Sequence, residues 1–541
     1  MKNNIFSFCT LLLLFCHFAT AQHTNLPLNK EDYSLIDQLI ISKGFNCATA
    51  FKPLQANELR KIFPSDSLPA FFSSNNSVSK GIWNAFYLNR KDFFYKKGRE
   101  FEITANPVLY TTYGKSTGTT TFQNTKGVEI SGTISEKVSF YSFLTDNQIR
   151  FPEYTTAWTK THQAVPGEGF WKHFKENGYD YFSSRAHIGF QVLKPVNVQF
   201  GYDKFFIGDG YRSLFLSDET NHYLFLKLNT KFWRIQYTNL WAKLSSIPYG
   251  AYNDDGKPKE SDKYLALHRL GLQLTPSLNI GLFESVVYGG LNSSGEAEGP
   301  QFEYMIPFAF MRSIERESAG LHSNAQMGLD WRWNVKKRLS FYGQFLLDEL
   351  HLKLFKSNGW WAQKWGLQAG VKHFHAFGID NLLLQAETNI VRPFTYSHRS
   401  NFSSYTHYGQ YLGHPKGANF KEFIGIVRWP VLKKLQWITK GIYTIGGLNE
   451  NGKNWGADPL TSYEENRVKD FGNTNGQGIG YKEFFAASRL SYEFFTRMWI
   501  DLSYTFRRME TDEQIPTVVS GTNHWLRAGL RINIAPKEVL Y

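Results

Sequence analysis

From about residue 98 onward, apolar and polar side chains alternate one by one in short stretches, and this two-residue period constrains the fold more than any other feature. Near the C-terminus Leu526, Ala528, Leu530, Ile532 and Ile534 alternate with Arg527, Gly529, Arg531 and Asn533. Val196, Val198, Phe200 and Tyr202 alternate with Asn197, Gln199, Gly201 and Asp203. Ile500, Leu502, Tyr504 and Phe506 alternate with Asp501, Ser503, Thr505 and Arg507, and Met327, Leu329, Trp331 and Trp333 with Gln326, Gly328, Asp330 and Arg332. Such spacing puts one set on each face of a β-strand. By itself it does not say whether the apolar face meets a protein core or lipid.

The connections discriminate. Eighteen strand centres fall near residues 104, 130, 141, 188, 199, 226, 236, 269, 281, 329, 343, 367, 386, 424, 439, 489, 503 and 529. Connections after even-numbered strands are brief, among them Ser135-Glu136, Lys194-Pro195, Asn229-Thr230-Lys231, Thr275 to Ser277, Val335 to Lys337, Phe377-Gly378 and Pro430 to Lys434. Those after odd-numbered strands are mostly long: 149–182, 205–220, 245–262, 289–323, 392–418 and 447–480. A sandwich has no reason to sort loop length by parity. A transmembrane barrel does, with tight periplasmic turns and free extracellular loops. Closure also gives every backbone N–H and C=O a partner where no water reaches. The expectation is an all-β transmembrane barrel of about 18 antiparallel strands over residues 98–541, facing outer-membrane lipids.

The N-terminal end differs. Lys2, the apolar run Leu11 to Phe15 and the small-residue site Ala19-Thr20-Ala21 predict a cleaved signal peptide over residues 1–21, too short to span a bilayer. Cleavage removes Cys9 and Cys16, and Cys47 alone cannot form an intramolecular disulfide. Residues 22–97 predict a small periplasmic helical domain. Leu35, Ile36, Leu39 and Ile40 share a helical face ended by Gly44, with a second short helix over 57–63 and a third over 81–91. The chain ends on an aromatic, Tyr541, as is common in clients of the barrel-assembly machinery.

A net charge of +13 is compatible with anionic surfaces or an acidic glycan, but the basic residues are interspersed with acidic ones and no nucleic-acid motif is present. Aromatics make up 17% of the chain, a share that alternating, half-buried strands accommodate without long apolar runs. Gly208-Asp209-Gly210-Tyr211-Arg212-Ser213 lacks the Lys-Ser/Thr ending of a phosphate loop and reads as an ordinary glycine-rich loop. His373 and His375, and the group His398, His407 and His414, show no ligand pattern that requires a metal. No nucleophile motif marks a serine or histidine, so a non-enzymatic protein without cofactors is expected. Lys364, Gln368, Lys372, Gln385, Glu387, Gln344 and Asp348 predict a lumen network of paired charges and hydrogen bonds. Aromatic-rich loop segments, Trp158 to Tyr181, Trp360-Trp361 and Tyr405 to His414, suit either sugar stacking or an interfacial belt.

Glu387, the run Val391-Arg392-Pro393-Phe394-Thr395-Tyr396-Ser397-His398, Tyr405 and Leu412-Gly413-His414-Pro415-Lys416-Gly417 resemble the Wzi capsule-assembly family. Gly328 to Arg332, Tyr342-Gly343-Gln344, Asp348-Glu349, Phe205 to Ser217 and Lys52-Pro53-Leu54 extend the resemblance over nearly the whole mature chain. It implies an eighteen-stranded outer-membrane barrel acting as a lectin-like, non-catalytic anchor for capsular or extracellular polysaccharide. RemB-like relatives in gliding bacteria serve surface motility, which makes a motility or secretion accessory one alternative and a diffusion porin another. The resemblance singles out Asp209, Arg212, Asp348, Glu387, Arg392, Tyr396, His398, Tyr405 and His414 as family-motif or glycan-binding candidates. Phe205-Phe206-Ile207-Gly208-Asp209-Gly210 departs from the family's tryptophan-bearing loop, and Lys416 and Asn419 stand where acidic or small residues are common.

Overall fold

A computed structural model describes residues 25–28, 32–44, 48–55, 59 and, from 92 to 539, all but 136, 247–260, 290–298, 309–310, 312–322, 350–358 and 538. The signal segment, Cys47, the third expected helix, all of the second but Leu59, and Tyr541 lie outside these residues.

Eighteen antiparallel strands close into a barrel. They are β1 (Phe101–Ser116), β2 (Thr119–Ile134), β3 (Val138–Arg150), β4 (Gly178–Leu193), β5 (Val196–Asp203) and β6 (Tyr223–Phe232). Then come β7 (Ile235–Ser246), β8 (Ser261–Thr275), β9 (Leu278–Tyr288), β10 (Ser323–Val335), β11 (Leu339–Glu349) and β12 (Lys364–Phe374). The last six are β13 (Leu383–Val391), β14 (Phe420–Leu432), β15 (Leu435–Leu448), β16 (Ile479–Phe495), β17 (Met498–Thr511) and β18 (Gly521–Ile532). β18 closes on β1 with Ile532 opposite Leu109 and Trp525 opposite Ser116. Every expected strand centre falls inside one of these strands.

The wall is inside out relative to a soluble protein. On β17 and β18, Leu502 and Leu526 are 51% and 53% exposed, while Asp501 and Arg531 on the same strands are 3% and 1% exposed. Within the lumen Arg531 binds Asp501 at 2.6 Å, Arg507 binds Glu483 at 2.7 Å, and Arg269 grips Asp330 through two hydrogen bonds of 2.9 and 2.6 Å. Leucines facing out and ion pairs facing in are stable together only if hydrocarbon solvates the outside.

Three boundaries moved. The turn expected at Asn229-Thr230-Lys231 lies at Trp233-Arg234, because Asn229 is a lumen residue accepting hydrogen bonds from Gln236 and Thr238 across the hairpin. A polar lumen position near the mouth resembles a turn signal in sequence. β18 stops at Ile532 rather than running through Ile534. Beyond it the tail turns into the lumen, where Ile534 packs against Val108, Tyr141 and Phe143, and Val539 against Ile149, Phe151, Val165 and Tyr179. Lys537 on that tail lies 3.5 Å from Glu168 of the first long loop. The third shift is at the barrel's N-terminal edge, where Phe94–Lys97 already pairs with β1, below the point where β18 ends.

In the described parts of 22–97, one helix and short extended segments contact the barrel. α1 (Asp32–Lys43) forms where the first helix was expected and Gly44 follows with φ +69°. Its buried residues are Ile36, Ile40 and Ile41, and Leu35 is exposed. Ile41 packs against the wall residues Phe374 and Leu383, and Asp37 reaches the lumen cations Lys372 at 2.5 Å and Arg332 at 3.5 Å. The helix is docked in the barrel mouth at the short-turn end.

Outside the barrel, a segment of the 289–323 connection folds back onto the wall. The Tyr237 hydroxyl and Asn239 Nδ2 donate to the Pro307 carbonyl at 2.6 and 3.0 Å, and Trp241 Nε1 donates to the Tyr304 carbonyl at 3.0 Å. Tyr304 and Met311 pack on Ala266, Val286, Tyr288 and Ala325. Phe302, Ile306 and Phe308 on this segment remain exposed.

Candidate functional site

The candidate residues converge, and most of them converge on the segment 205–217. This segment leaves the outer end of β5 and runs inside the barrel, where Phe205, Ile207, Leu214, Phe215 and Leu216 are buried with Phe225, Leu240, Leu267 and Phe283 of the wall. From below, Phe51–Lys52 pairs as a short strand with Phe206–Ile207. From above, the Tyr396 and Tyr405 hydroxyls donate to the carbonyls of Leu214 and Phe215 at 2.8 and 2.7 Å. Those two rings stack with centroids 5.9 Å apart. The three layers form a stopper on the β5–β13 side of the lumen.

Wall residues clamp this stopper. Glu387 accepts the backbone N–H groups of Tyr211 and Arg212 at 2.6 and 3.0 Å, and the Tyr342 hydroxyl at 2.8 Å. Gln344 accepts from Leu214 N and donates to the Ile207 carbonyl, while Gln368 donates to the Arg212 carbonyl. A Cβ on Gly210 would stand 2.7 Å from Glu387 Oε2 and 2.9 Å from Gln368 Oε1, so a glycine is what lets the backbone settle on these groups. Asp209 meets Arg332 at 3.3 Å and accepts from Thr49. Burial pushes the Asp209 carboxyl up, but Arg332 and Lys52 outweigh it and hold it below the usual carboxylate range. Arg212 reaches Glu422 and Glu219, each at 3.4 Å, and Glu422 also takes His414 Nε2 at 2.9 Å. Asp348 accepts the Tyr396 N–H at 2.6 Å.

Asp209, Arg212, Asp348, Glu387, Tyr396, Tyr405 and His414 are thus buried groups that hold the stopper, as a lumen network requires. Phe394, Tyr396, Tyr405 and Tyr408 of the 392–418 loop, aromatics suited in sequence to either sugar stacking or an interfacial belt, are buried in packing. The three loop histidines are separated: His414 binds Glu422, His407 bridges Ser245 N and the His222 carbonyl, and His398 lies at the outer surface. Among the described residues no group of three or more His, Cys, Asp or Glu side chains is placed to hold a metal.

The remaining candidates lead to that outer surface. Arg392 Nε donates to the Gln363 carbonyl at 3.0 Å, and its guanidinium also reaches the Asn473 carbonyl at 3.2 Å, tying three long loops together. His398 meets Tyr463 edge-on at 6.0 Å, Tyr463 lies 4.7 Å from Trp361, and the Arg467 guanidinium sits 4.2 Å over the Trp361 ring. Lys364 stands 4.6 Å over the Tyr463 ring. Trp361, Tyr463, His398 and Arg467 are all half-buried, and the cluster lies between the long loops. A second such group has Trp158 stacked on His162 at 4.1 Å and His162 edge-on to Tyr411 at 6.2 Å. Sequence reasoning missed Tyr463 and Arg467, because the loop 447–480 carries no motif and only the fold sets it beside Trp361.

No family model matches this chain, and no curated protein sequence matches it. Among solved structures it is similar to Wzi, an outer-membrane protein involved in group 1 capsule assembly in Escherichia coli and a carbohydrate-binding β-barrel. That match has 14% identity and a TM-score of 0.57, covering 95% of this chain and 100% of Wzi. Two further barrels align more loosely: Pseudomonas aeruginosa OprD (11% identity, TM-score 0.42, 79% and 94% covered) and Acinetobacter baumannii OccAB2 (10%, 0.45, 80% and 97%). The fold is that of an outer-membrane β-barrel.

Proposed function

We propose that this protein binds surface polysaccharide at the outer membrane as a non-catalytic attachment or assembly component. The observation that carries this reading is the half-buried cluster of Trp361, Tyr463, His398 and Arg467 between the long loops. Aromatic faces of this kind stack on sugar C–H faces while the neighbouring cation and imidazole bond hydroxyls or carboxylates. The stopper beneath, tied to the wall by Glu387, Gln344 and Gln368, supports a role in holding rather than passing a ligand on that side. The similar E. coli barrel binds carbohydrate, which agrees with this reading.

A glycan array on the detergent-solubilised protein tests the proposal. Bound polysaccharide should weaken roughly 2- to 10-fold in Trp361→Ala or Tyr463→Ala, the loss of about 0.5–1.5 kcal/mol of ring stacking. Unchanged retention in both variants, with heat-modifiable folding intact, would remove the cluster from the account. A diffusion porin is the second reading, favoured by a cavity on the β1–β4 side of the lumen. A large steady current through single proteins in planar bilayers would support the porin and count against an anchor.

A further inference from the structure

We propose that the short-turn end of the barrel is a docking surface for anionic phospholipid headgroups, a basic collar seated in the leaflet it faces. The turns at this end carry exposed cations. Lys194 lies between β4 and β5, Arg234 between β6 and β7, Lys336 between β10 and β11, and Lys433 and Lys434 between β14 and β15. Against them the described turn residues set one carboxylate, Asp380 between β12 and β13, which lies 3.7 Å from His375. Glu100 stands nearby at the foot of β1.

Of the turn cations, Arg497 is taken by Asp92 at 3.3 Å. Arg234 donates to the Leu274 carbonyl at 3.3 Å rather than to a carboxylate. No ion pair joins Lys194, Lys336, Lys433 or Lys434 to any described residue. Exposed cations at the opposite end do meet acids: Lys243 holds Asp262 at 2.7 Å, Arg399 holds Glu464 at 3.6 Å and Lys453 holds Glu450 at 2.6 Å. Like charges set together without counter-charges repel one another, and a bound anionic surface relieves that repulsion.

The arrangement favours a flat anionic layer over a compact acidic protein. The cations are spread around the barrel's circumference, from the β4 turn to the β15 turn, instead of gathering on one patch. Each also follows an exposed apolar side chain at its strand end: Leu193 before Lys194, Trp233 before Arg234, Trp333 near Lys336 and Leu432 before Lys433. An apolar group at the acyl boundary with a cation one step farther out matches the order of layers at a membrane interface. Short turns face the periplasm in outer-membrane barrels, and the leaflet on that side is phospholipid. Each cation near an anionic leaflet adds to the attraction, which salt screens.

Native mass spectrometry of the full-length protein, released from micelles holding equal amounts of phosphatidylglycerol and phosphatidylcholine with the same acyl chains, tests this. Phosphatidylglycerol should be retained at least about 5-fold over phosphatidylcholine. The preference should fall to near parity when Lys194→Gln, Lys336→Gln, Lys433→Gln and Lys434→Gln are combined, with heat-modifiable folding intact. Lys433→Gln with Lys434→Gln alone should lose part of it. Equal retention of the two lipids by the parent protein, or a preference unchanged in both variants, would overturn the collar. Suppression by inorganic phosphate, but not by chloride of equal ionic strength, would assign the cations to free phosphate instead of a lipid. Capture of polyglutamate by the parent protein in phosphatidylcholine nanodiscs, lost in the combined variant, would overturn the lipid reading in favour of a soluble acidic partner.

Discussion

The Tyr405 hydroxyl donates to the main-chain carbonyl of Phe215 at 2.7 Å, joining an external loop to a segment buried inside the barrel. With the parallel bond from Tyr396 to Leu214, it makes the loop and the stopper one unit.

Removing both hydroxyls by Tyr396→Phe and Tyr405→Phe keeps the ring stack and strips two buried carbonyls of a partner. The expected cost is about 1–3 kcal/mol per site in stopper stability, with the barrel itself unaffected. Hydrogen exchange at Leu214 to Leu216 should rise sharply while amides of β14 to β18 keep their protection. Equal protection of both regions in the double variant would contradict the layered stopper.

A methyl group at position 210 tests the clamp from the other side. In Gly210→Ala the new Cβ must displace Glu387 or lift the backbone, breaking the bonds from Tyr211 and Arg212. We predict flickering or enlarged single-channel current in planar bilayers relative to the parent protein. A quiet, parent-like trace would mean that the loop does not rest on that carboxylate.

Acid should loosen the same region. His407 is neutral in place: Nδ1 accepts from Ser245 N at 3.0 Å and Nε2 faces the His222 carbonyl at 3.1 Å. Burial, with Lys263 and Lys204 nearby, lowers its pKa to about 4. The released loop would have a histidine near its ordinary value, about 6.5. The depressed value means the contribution is whole above about pH 6.5 and is lost as pH falls toward 4. Limited proteolysis of the 392–418 loop should accelerate across that window, and less steeply in His407→Gln, where burial still lowers His414 of the same loop. A flat profile in the parent protein would refute the assignment.

The strand pattern was legible because hydrocarbon imposes it: Leu526 and Arg527 must face opposite solvents, so the period survives in every strand. The lumen role of Glu387 and Gln368 was also legible, since polar residues at inward positions of a barrel need partners. The burial of Tyr396 and Tyr405 was not. The sequence left sugar stacking or an interfacial belt open for such rings, and neither has residues 205–217 entering the lumen, which no local pattern encodes. The lumen course of the tail past Ile532 was hidden for a similar reason, because the alternation runs on through Asn533 and Ile534.

The segment 301–308 on the outer wall gives a further prediction. Its anchors, Tyr237, Asn239 and Trp241, face away from the lumen, and Phe308 stacks on Tyr237 with centroids 5.8 Å apart. The exposed rings of Phe302 and Phe308 should dip among membrane acyl chains. A bimane label on Phe308→Cys should be quenched by spin-labelled lipid and not by aqueous iodide, and the reverse pattern would place this segment in water.

The most direct test of the inside-out wall is a nitroxide scan of β18. Single cysteines replacing Leu526 to Arg531 in turn, spin-labelled in reconstituted bilayers, report collisions with oxygen, which partitions into hydrocarbon. We predict high oxygen accessibility at 526, 528 and 530 and low accessibility at 527, 529 and 531. The opposite phase, or no alternation, would contradict a wall whose apolar side is dissolved in lipid.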